Sequence, residues 1–370
     1  MARKAATGMS GQDSTPLTRR AVLRGVAGSA LASVLAACGG PDVPPSTPLP
    51  NAAFRGTEAA SNAGFAAATA VGTPISATPP VDLVGQLKES GLRFALLPGQ
   101  NPMQEIADNG EILAFLRASL GKPIAGKVSA EYATVVNALN AKTVDIAYFS
   151  PLAYIWAKPK ASLTPMIQGE SPDGKFATNR TFVIVPGGSP VQTNPMELRG
   201  KTVAFTDQNS LSGYLVPAYS LAKNLGMKPN ADYRPDFRGT AAAVYAAVMS
   251  GQAAAGAIPY NDFEDGVAKG QINKDALHVL DTSFDYPGSI IAARISLDPG
   301  DFDLIQRAFL ALSNQPQQAK VLTQFVLGPP RGTGSFGGNT VKVRIADDSI
   351  YDTLRDIPPT LGIALEQIVR

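Results

Sequence analysis

The sequence predicts an α/β fold built from strand–helix units, each sheet largely parallel and flanked by helices. Two observations carry this reading. From about Gly91, short runs rich in β-branched and aromatic residues alternate with runs of helical period. Small hydroxylated residues then stand where several of those strands hand over to helices, as N-caps do.

The elements follow in order. Leu92–Leu97 is a strand, closed by Pro98-Gly99. Ile112, Phe115, Leu116 and Leu120 recur at helical spacing across 111–120, and Gly121 ends that helix. Further strands are expected at Val144–Phe149, Phe182–Val185, Thr202–Thr206 and Ala254–Ile258. Helices are expected at Ala133–Ala141, Pro151–Ala157, Ser212–Leu225 and Ala241–Ser250.

Composition removes several classes of function. With 370 residues, 45% hydrophobic and 17% charged, the chain is long enough for about two domains and is not disordered throughout. One Cys and one His leave no intrachain disulfide, no zinc cluster and no G-x-S-x-G hydrolase elbow. Nothing calls for a catalytic residue, a metal or a cofactor. The formal charge of +2 argues against nucleic-acid binding. Arg3, Lys4, Arg19, Arg20 and Arg24 against Asp13 give residues 1–37 a net +4, which leaves −2 for the remainder.

Residues 1–37 read as an address. Thr18-Arg19-Arg20-Ala21-Val22-Leu23 is a twin-arginine pattern opening an apolar run too short to span a membrane. Leu35-Ala36-Ala37-Cys38 then supplies small residues before a cysteine, as lipoprotein processing requires. Residues 38–80 follow as a tether: 39–80 hold eight prolines with much Ala, Ser, Thr and Gly. Export, a lipid on Cys38 and a tether describe a globular body held at the outer face of a membrane, or in the periplasm.

In open α/β sheets, ligands gather at the carboxyl ends of strands, where helix N-termini present free N–H groups and a positive dipole end. Three junctions carry suitable residues. Ser150 precedes Pro151; Ser210-Leu211-Ser212-Gly213 follows the strand 202–206; Thr240 behind Gly239 opens the alanine-rich helix. Any one of them alone is adequately explained as a helix cap.

Together these residues resemble one family. Glu131-Tyr132-Ala133-Thr134, the run Val144–Tyr154 and above all Leu198–Pro217 are similar to the substrate-binding component of phosphate/phosphite/phosphonate ABC importers. The similarity runs from about Leu92 to Leu312, with a weaker echo at Asp347–Arg355. It implies a two-lobed, periplasmic-binding-protein-like fold of type II with two crossing hinge strands. By this resemblance lobe one is 91–181 plus 286–370, and lobe two is 182–285. Tyr132, Tyr148 and Phe149 would line the cleft from lobe one beside Ser150. Ser210, Leu211, Ser212 and Gly213 would hold phosphoryl oxygens from lobe two, with Thr240 at the next helix start. The implied ligand is a small phosphorus oxyanion, and the implied partners are an ABC permease with its cytoplasmic ATPase. The expected state is a monomer, and the protein would not be an enzyme.

The sequence departs from the family pattern at several positions. Leu211 stands where a Thr is usual, and Thr240 where a His is common. Asn261 and Ser289 stand at positions that are acidic in aminoalkyl-phosphonate binders, with Asp262 and Asp285 displaced beside them. These departures admit a changed ligand, such as a sulfonate or another small organic molecule, or a sensory rather than a transport role. Gly332–Gly337 matches G-x-G-x-x-G, but lies between Pro329-Pro330 and a strand-like run, so it reads as a connection. Arg180 and Arg238 read as surface cations, His278 and Trp156 as structural, and Tyr154 as a weaker binding candidate than Tyr132.

Overall fold

In the computed structural model, residues 87–96, 109–129, 131–312 and 340–369 are described. The expected signal sequence (residues 1–37), Cys38, the expected tether (38–80) and the Gly332–Gly337 string lie outside them.

The first sheet takes strands from both ends of the described chain. These are β1 (Leu92–Ala95), β2 (Ile124–Lys127), β3 (Ile146–Phe149), β4 (Leu163–Glu170), β12 (Ile290–Arg294) and β13 (Lys342–Ile345), in the order β13-β4-β12-β3-β1-β2. The second sheet is built from β6 (Thr181–Pro186), β7 (Thr202–Phe205), β8 (Arg234–Phe237), β9 (Ala255–Pro259) and β10 (Leu277–Thr282), in the order β10-β6-β9-β7-β8. The helices that flank them are α1 (Gly110–Leu120), α2 (Tyr132–Asn140), α3 (Pro151–Ala161), α4 (Val216–Leu225), α5 (Ala241–Met249), α6 (Tyr260–Ala268) and α7 (Pro299–Ala311).

The sheets are mixed rather than largely parallel. β1 runs parallel to β2 and β3, and β7 parallel to β8 and β9, where strand–helix units build the sheet. β12 is antiparallel to β3 and β4, β13 to β4, and β6 to β9 and β10. The physical reason is the connection. A parallel neighbour needs a crossover helix, whereas β4, β6, β10 and β12 carry the chain between the sheets. Two short strands lie in those passages, β5 (Thr178–Asn179) and β11 (Tyr286–Pro287), and they pair antiparallel. Thr181 N–H donates to Ser283 Oγ at 2.9 Å beside them, and Arg180 pairs with Asp285 at 3.1 Å.

The strand β3 is anchored at its start by a buried carboxylate. Asp145, with no exposure, accepts from Arg93 N–H, Nε and Nη2 at 2.8, 2.8 and 2.7 Å, and from Arg294 Nε and Nη2 at 3.1 and 2.9 Å. Such a site is tolerated because every lone pair is met by a charged or amide donor.

At its far end, β3 places neighbouring aromatics on opposite faces, as a strand must. Tyr148 joins the core of Phe94, Met166 and Phe309, while Phe149 joins that of Tyr154 and Tyr351. The last described segment leans on both halves. Tyr351 donates its hydroxyl to Gly288 O at 2.8 Å, Tyr154 donates to Asp348 at 2.8 Å, and Ile357–Leu361 packs against α4.

Candidate functional site

The site is built around Thr206, the residue after β7. Its N–H donates to Gly213 O at 3.3 Å, and its carbonyl accepts from Gly239 N–H at 2.8 Å. One residue thus joins the turn that opens before α4 to the turn that opens before α5. Arg238 N–H donates to Phe205 O at 2.8 Å and extends the same seam.

The first of these turns, Leu211–Leu215, is a single π-helical turn leading straight into α4. Ser210 Oγ accepts from Gly213 N–H at 3.0 Å, and Ser210 O accepts from both Tyr214 and Leu215 N–H at 3.1 and 3.0 Å. A Cβ at Gly213 would lie 1.7 Å from Thr206 Oγ1, so only glycine permits the fold-back. The second turn is opened by Gly239 at φ 81°, a conformation that favours glycine, and capped by Thr240 Oγ1 accepting from Ala243 N–H at 3.2 Å. The first amides of each helical run have no intrahelical acceptor, so both turns offer donors and a positive dipole end.

Between them lies a cavity of about 530 Å³. Thr206, Ser210, Ser212, Thr240, Ala241 and Ala242 line one side; Asp262, Asp265, Lys269 and Gln271 line the other. Lys269 pairs with Asp265 at 3.2 Å one helical turn away. Burial, with help from the neighbouring Asp265 charge, pushes the Asp262 carboxyl above its ordinary pKa. A relay from the crossing passage supports Ser212. Thr181 Oγ1 donates to Ser212 O at 2.8 Å, which leaves the Tyr286 hydroxyl, 3.3 Å away, as the donor to Thr181 Oγ1. Burial pushes the Tyr286 phenol up to about 12, so it keeps its proton.

A family model described as the phosphonate ABC transporter periplasmic substrate-binding protein matches residues 94–329. The chain belongs to that family. The phosphate-import protein PhnD of Mycolicibacterium smegmatis is 24% identical over 232 residues, which cover 60% of this chain and 72% of that one. XAC2383 from Xanthomonas citri, solved bound to ATP, is similar in fold at a TM-score of 0.55 and 17% identity, over 76% of this chain and all of its own. PhnD1 from Prochlorococcus marinus, solved with methylphosphonate, reaches 0.50 at 19% identity, over 74% of this chain and 99% of its own.

The structure brings some of the binding-protein residues together and separates others. Ser210, Ser212 and Thr240 line the cavity. Gly213 and Leu211 do not; Gly213 is the buried pivot of the turn, and the Leu211 side chain packs against the core. Tyr148 and Phe149 are 4% and 0% exposed, so neither presents a surface to a ligand. Phe149 instead backs Tyr132, whose ring stacks on it at 6.0 Å. The Tyr132 hydroxyl accepts the Ser150 N–H at 3.3 Å, and burial raises its pKa. Ser150 caps α3 by position, with Pro151 at the first turn, and its side chain makes no capping bond.

The residues set aside earlier have structural partners. Arg238 pairs with Asp236 at 2.7 Å and Gln252 at 3.0 Å, while Arg180 lies 5.9 Å from the Tyr260 ring. Trp156 is buried beneath Lys160, and His278 stands opposite Val185 in the second sheet.

Sequence reasoning missed Thr206, Asp262, Asp265 and Lys269. It treated Asp262 as displaced from the ligand, yet Asp262 lines the cavity while Asn261 and Ser289 do not. The signal was available: 262, 265, 266 and 269 are spaced i, i+3, i+4, i+7, one face of the helix that starts at Tyr260.

Proposed function

We propose that this chain is a lipid-anchored, extracytoplasmic solute-binding protein. It captures a small phosphorus oxyanion (phosphonate, phosphite or phosphate) and delivers it to an ABC import permease driven by a cytoplasmic ATPase. The observation that carries the ligand class is the seam at Thr206, which sets two helix starts and the hydroxyls of Ser210, Ser212 and Thr240 around one cavity. Hydroxyls and unpaired amides with fixed dipoles bind a compact oxyanion without an arginine clamp.

In this reading the two sheets are cores of lobes spanning 91–181 with 286–370, and 182–285. The paired strands β5 and β11 form the hinge. Tyr132 and Ser150 meet the anion from lobe one when the lobes close, and the closed state is favoured because only it contacts the ligand from both sides. The ligand leaves chemically unchanged. Residues 1–37 direct export by the twin-arginine route, Cys38 takes the lipid, and 38–80 span the gap to the membrane.

Calorimetric titration with phosphate, phosphite and methylphosphonate tests the ligand class. Binding of at least one, lost on replacing Ser210 and Ser212 together by Ala, supports it; no heat with any of them refutes it. The anchor is tested separately: Cys38→Ala moves the protein from the membrane to the soluble envelope fraction, and an unchanged membrane fraction rules the lipid out.

A further inference from the structure

The cavity beside Thr206 is much larger than a bare oxyanion. At about 530 Å³ it lies in the range of sites that enclose whole organic molecules. A five-heavy-atom anion such as methylphosphonate displaces about three waters, ~90 Å³ at ~30 Å³ each, and leaves most of that space unfilled. The Tyr286 hydroxyl interacts with both Ser212 and Asp262, so the start of α6 adjoins the oxyanion turn. From there the lining continues along α6 through Asp265 and Gly266 to Lys269. Asp262 to Lys269 is about 10 Å of helix axis, further than a phosphonate head spans.

This extension has definite walls and a definite chemistry. Gln271 and Ile272 N–H both donate to Gly266 O, at 2.8 and 3.0 Å, which folds the chain after α6 back so that both residues line the cavity. Ala242, exposed in the first turn of α5, lines it with only a methyl group. At the far end Lys269 and Asp265 answer each other at 3.2 Å, so neither is left as an unopposed charge. Gln271 adds a neutral amide that both donates and accepts. Among the described residues no aromatic ring lines the cavity, which leaves no face for a nucleobase to stack on. Hydroxyl groups donate and accept in the same way as that amide, and they need neither a counter-charge nor a ring.

We propose that this extension is a subsite for the organic substituent of the ligand, and that the ligand is a phosphonate or phosphate monoester whose substituent is hydroxylated, of the polyol or sugar class. This rests on the reading of the cavity as a phosphorus-oxyanion site and assigns that site its class of ligand. Every lining residue falls within 206–272, inside one of the two proposed lobes. Closing the lobes therefore covers the extension and leaves its own walls in place.

The experiment is calorimetric titration of the full chain with methylphosphonate, 2,3-dihydroxypropylphosphonate, glycerol 3-phosphate and 2-aminoethylphosphonate. At least one of the two hydroxylated ligands is expected to bind roughly 10-fold tighter than methylphosphonate, as two further neutral hydrogen bonds would give. Which of the two is tighter separates the phosphonate from the ester. Gln271→Leu keeps the bulk of the side chain and removes its amide, while Ala242→Leu narrows the extension. Each is expected to cut the preference over methylphosphonate by about 3-fold or more, one hydrogen bond's worth. Thermal unfolding without ligand confirms that each variant is folded. Methylphosphonate binding as tightly as both hydroxylated ligands overturns the proposal and leaves the phosphorus site standing. A preference for 2-aminoethylphosphonate over both overturns it too, assigning the space to a cationic substituent, and so does a preference that survives both variants. If the native protein binds no phosphorus ligand, the site reading falls and this subsite falls with it.

Discussion

Two strand-to-helix junctions in this molecule share one sequence grammar and do different things. At the end of β3, Phe149-Ser150-Pro151 passes from a buried aromatic through a serine into α3; after β7, Phe205-Thr206 leads through Ser210 to α4. At the first, the Tyr132 hydroxyl already takes the Ser150 amide, and its ring is stacked on Phe149. At the second, Ser210 and Ser212 open onto a cavity, and the turn is held by Thr206 from behind. A cap motif therefore marks where donors exist, and the residue packed over it decides whether they remain free. At the first junction the amide is covered and only the Ser150 hydroxyl is left to give; at the second the donors are open.

That contrast can be broken from either side. Phe149→Ala removes the fully buried ring beneath Tyr132 and costs about 4 kcal/mol of stability, read by denaturant unfolding, with ligand affinity in the folded fraction reduced far less. Gly213→Ala drives a Cβ into Thr206 Oγ1 and is expected to cost about 2 kcal/mol and to abolish ligand heat, because the turn must shift away from the Gly239 seam. Tyr132→Phe leaves the Ser150 amide without its partner at about 1 kcal/mol, and a cleft role for Tyr132 adds a loss of affinity that a purely structural role does not. Thr240→Ala removes the cap from α5 and costs about 1 kcal/mol in thermal unfolding, with weaker ligand binding alongside.

The order of strands and helices was legible because each strand–helix unit carries its own period and its own stop, as with Gly121, which closes α1 at φ 60° and donates to Arg117 O. Which strands would run antiparallel was not legible. β4 and β12 are defined by where the chain crosses between the sheets, a non-local matter that no window of sequence contains. The site divides in the same way. Ser210, Ser212 and Thr240 were readable as caps after strands, and the family pattern singled out Ser210 and Ser212 while marking Thr240 as a departure. Tyr148 and Phe149 were over-read, because the pleat of β3 commits one to each core. Asp262 was placed beside the site rather than in the cavity lining, since a comparison position by position fixed on Asn261 and overlooked the helix face to which 262, 265 and 269 belong.

A crystal structure of the protein with methylphosphonate fixes where the anion sits. Phosphonate oxygens are expected within hydrogen-bond distance of Ser210 and Thr240, at the seam that Thr206 draws together. A phosphonate seated instead against Ser150 and Tyr132, with the cavity beside Thr206 occupied by solvent, would contradict that placement.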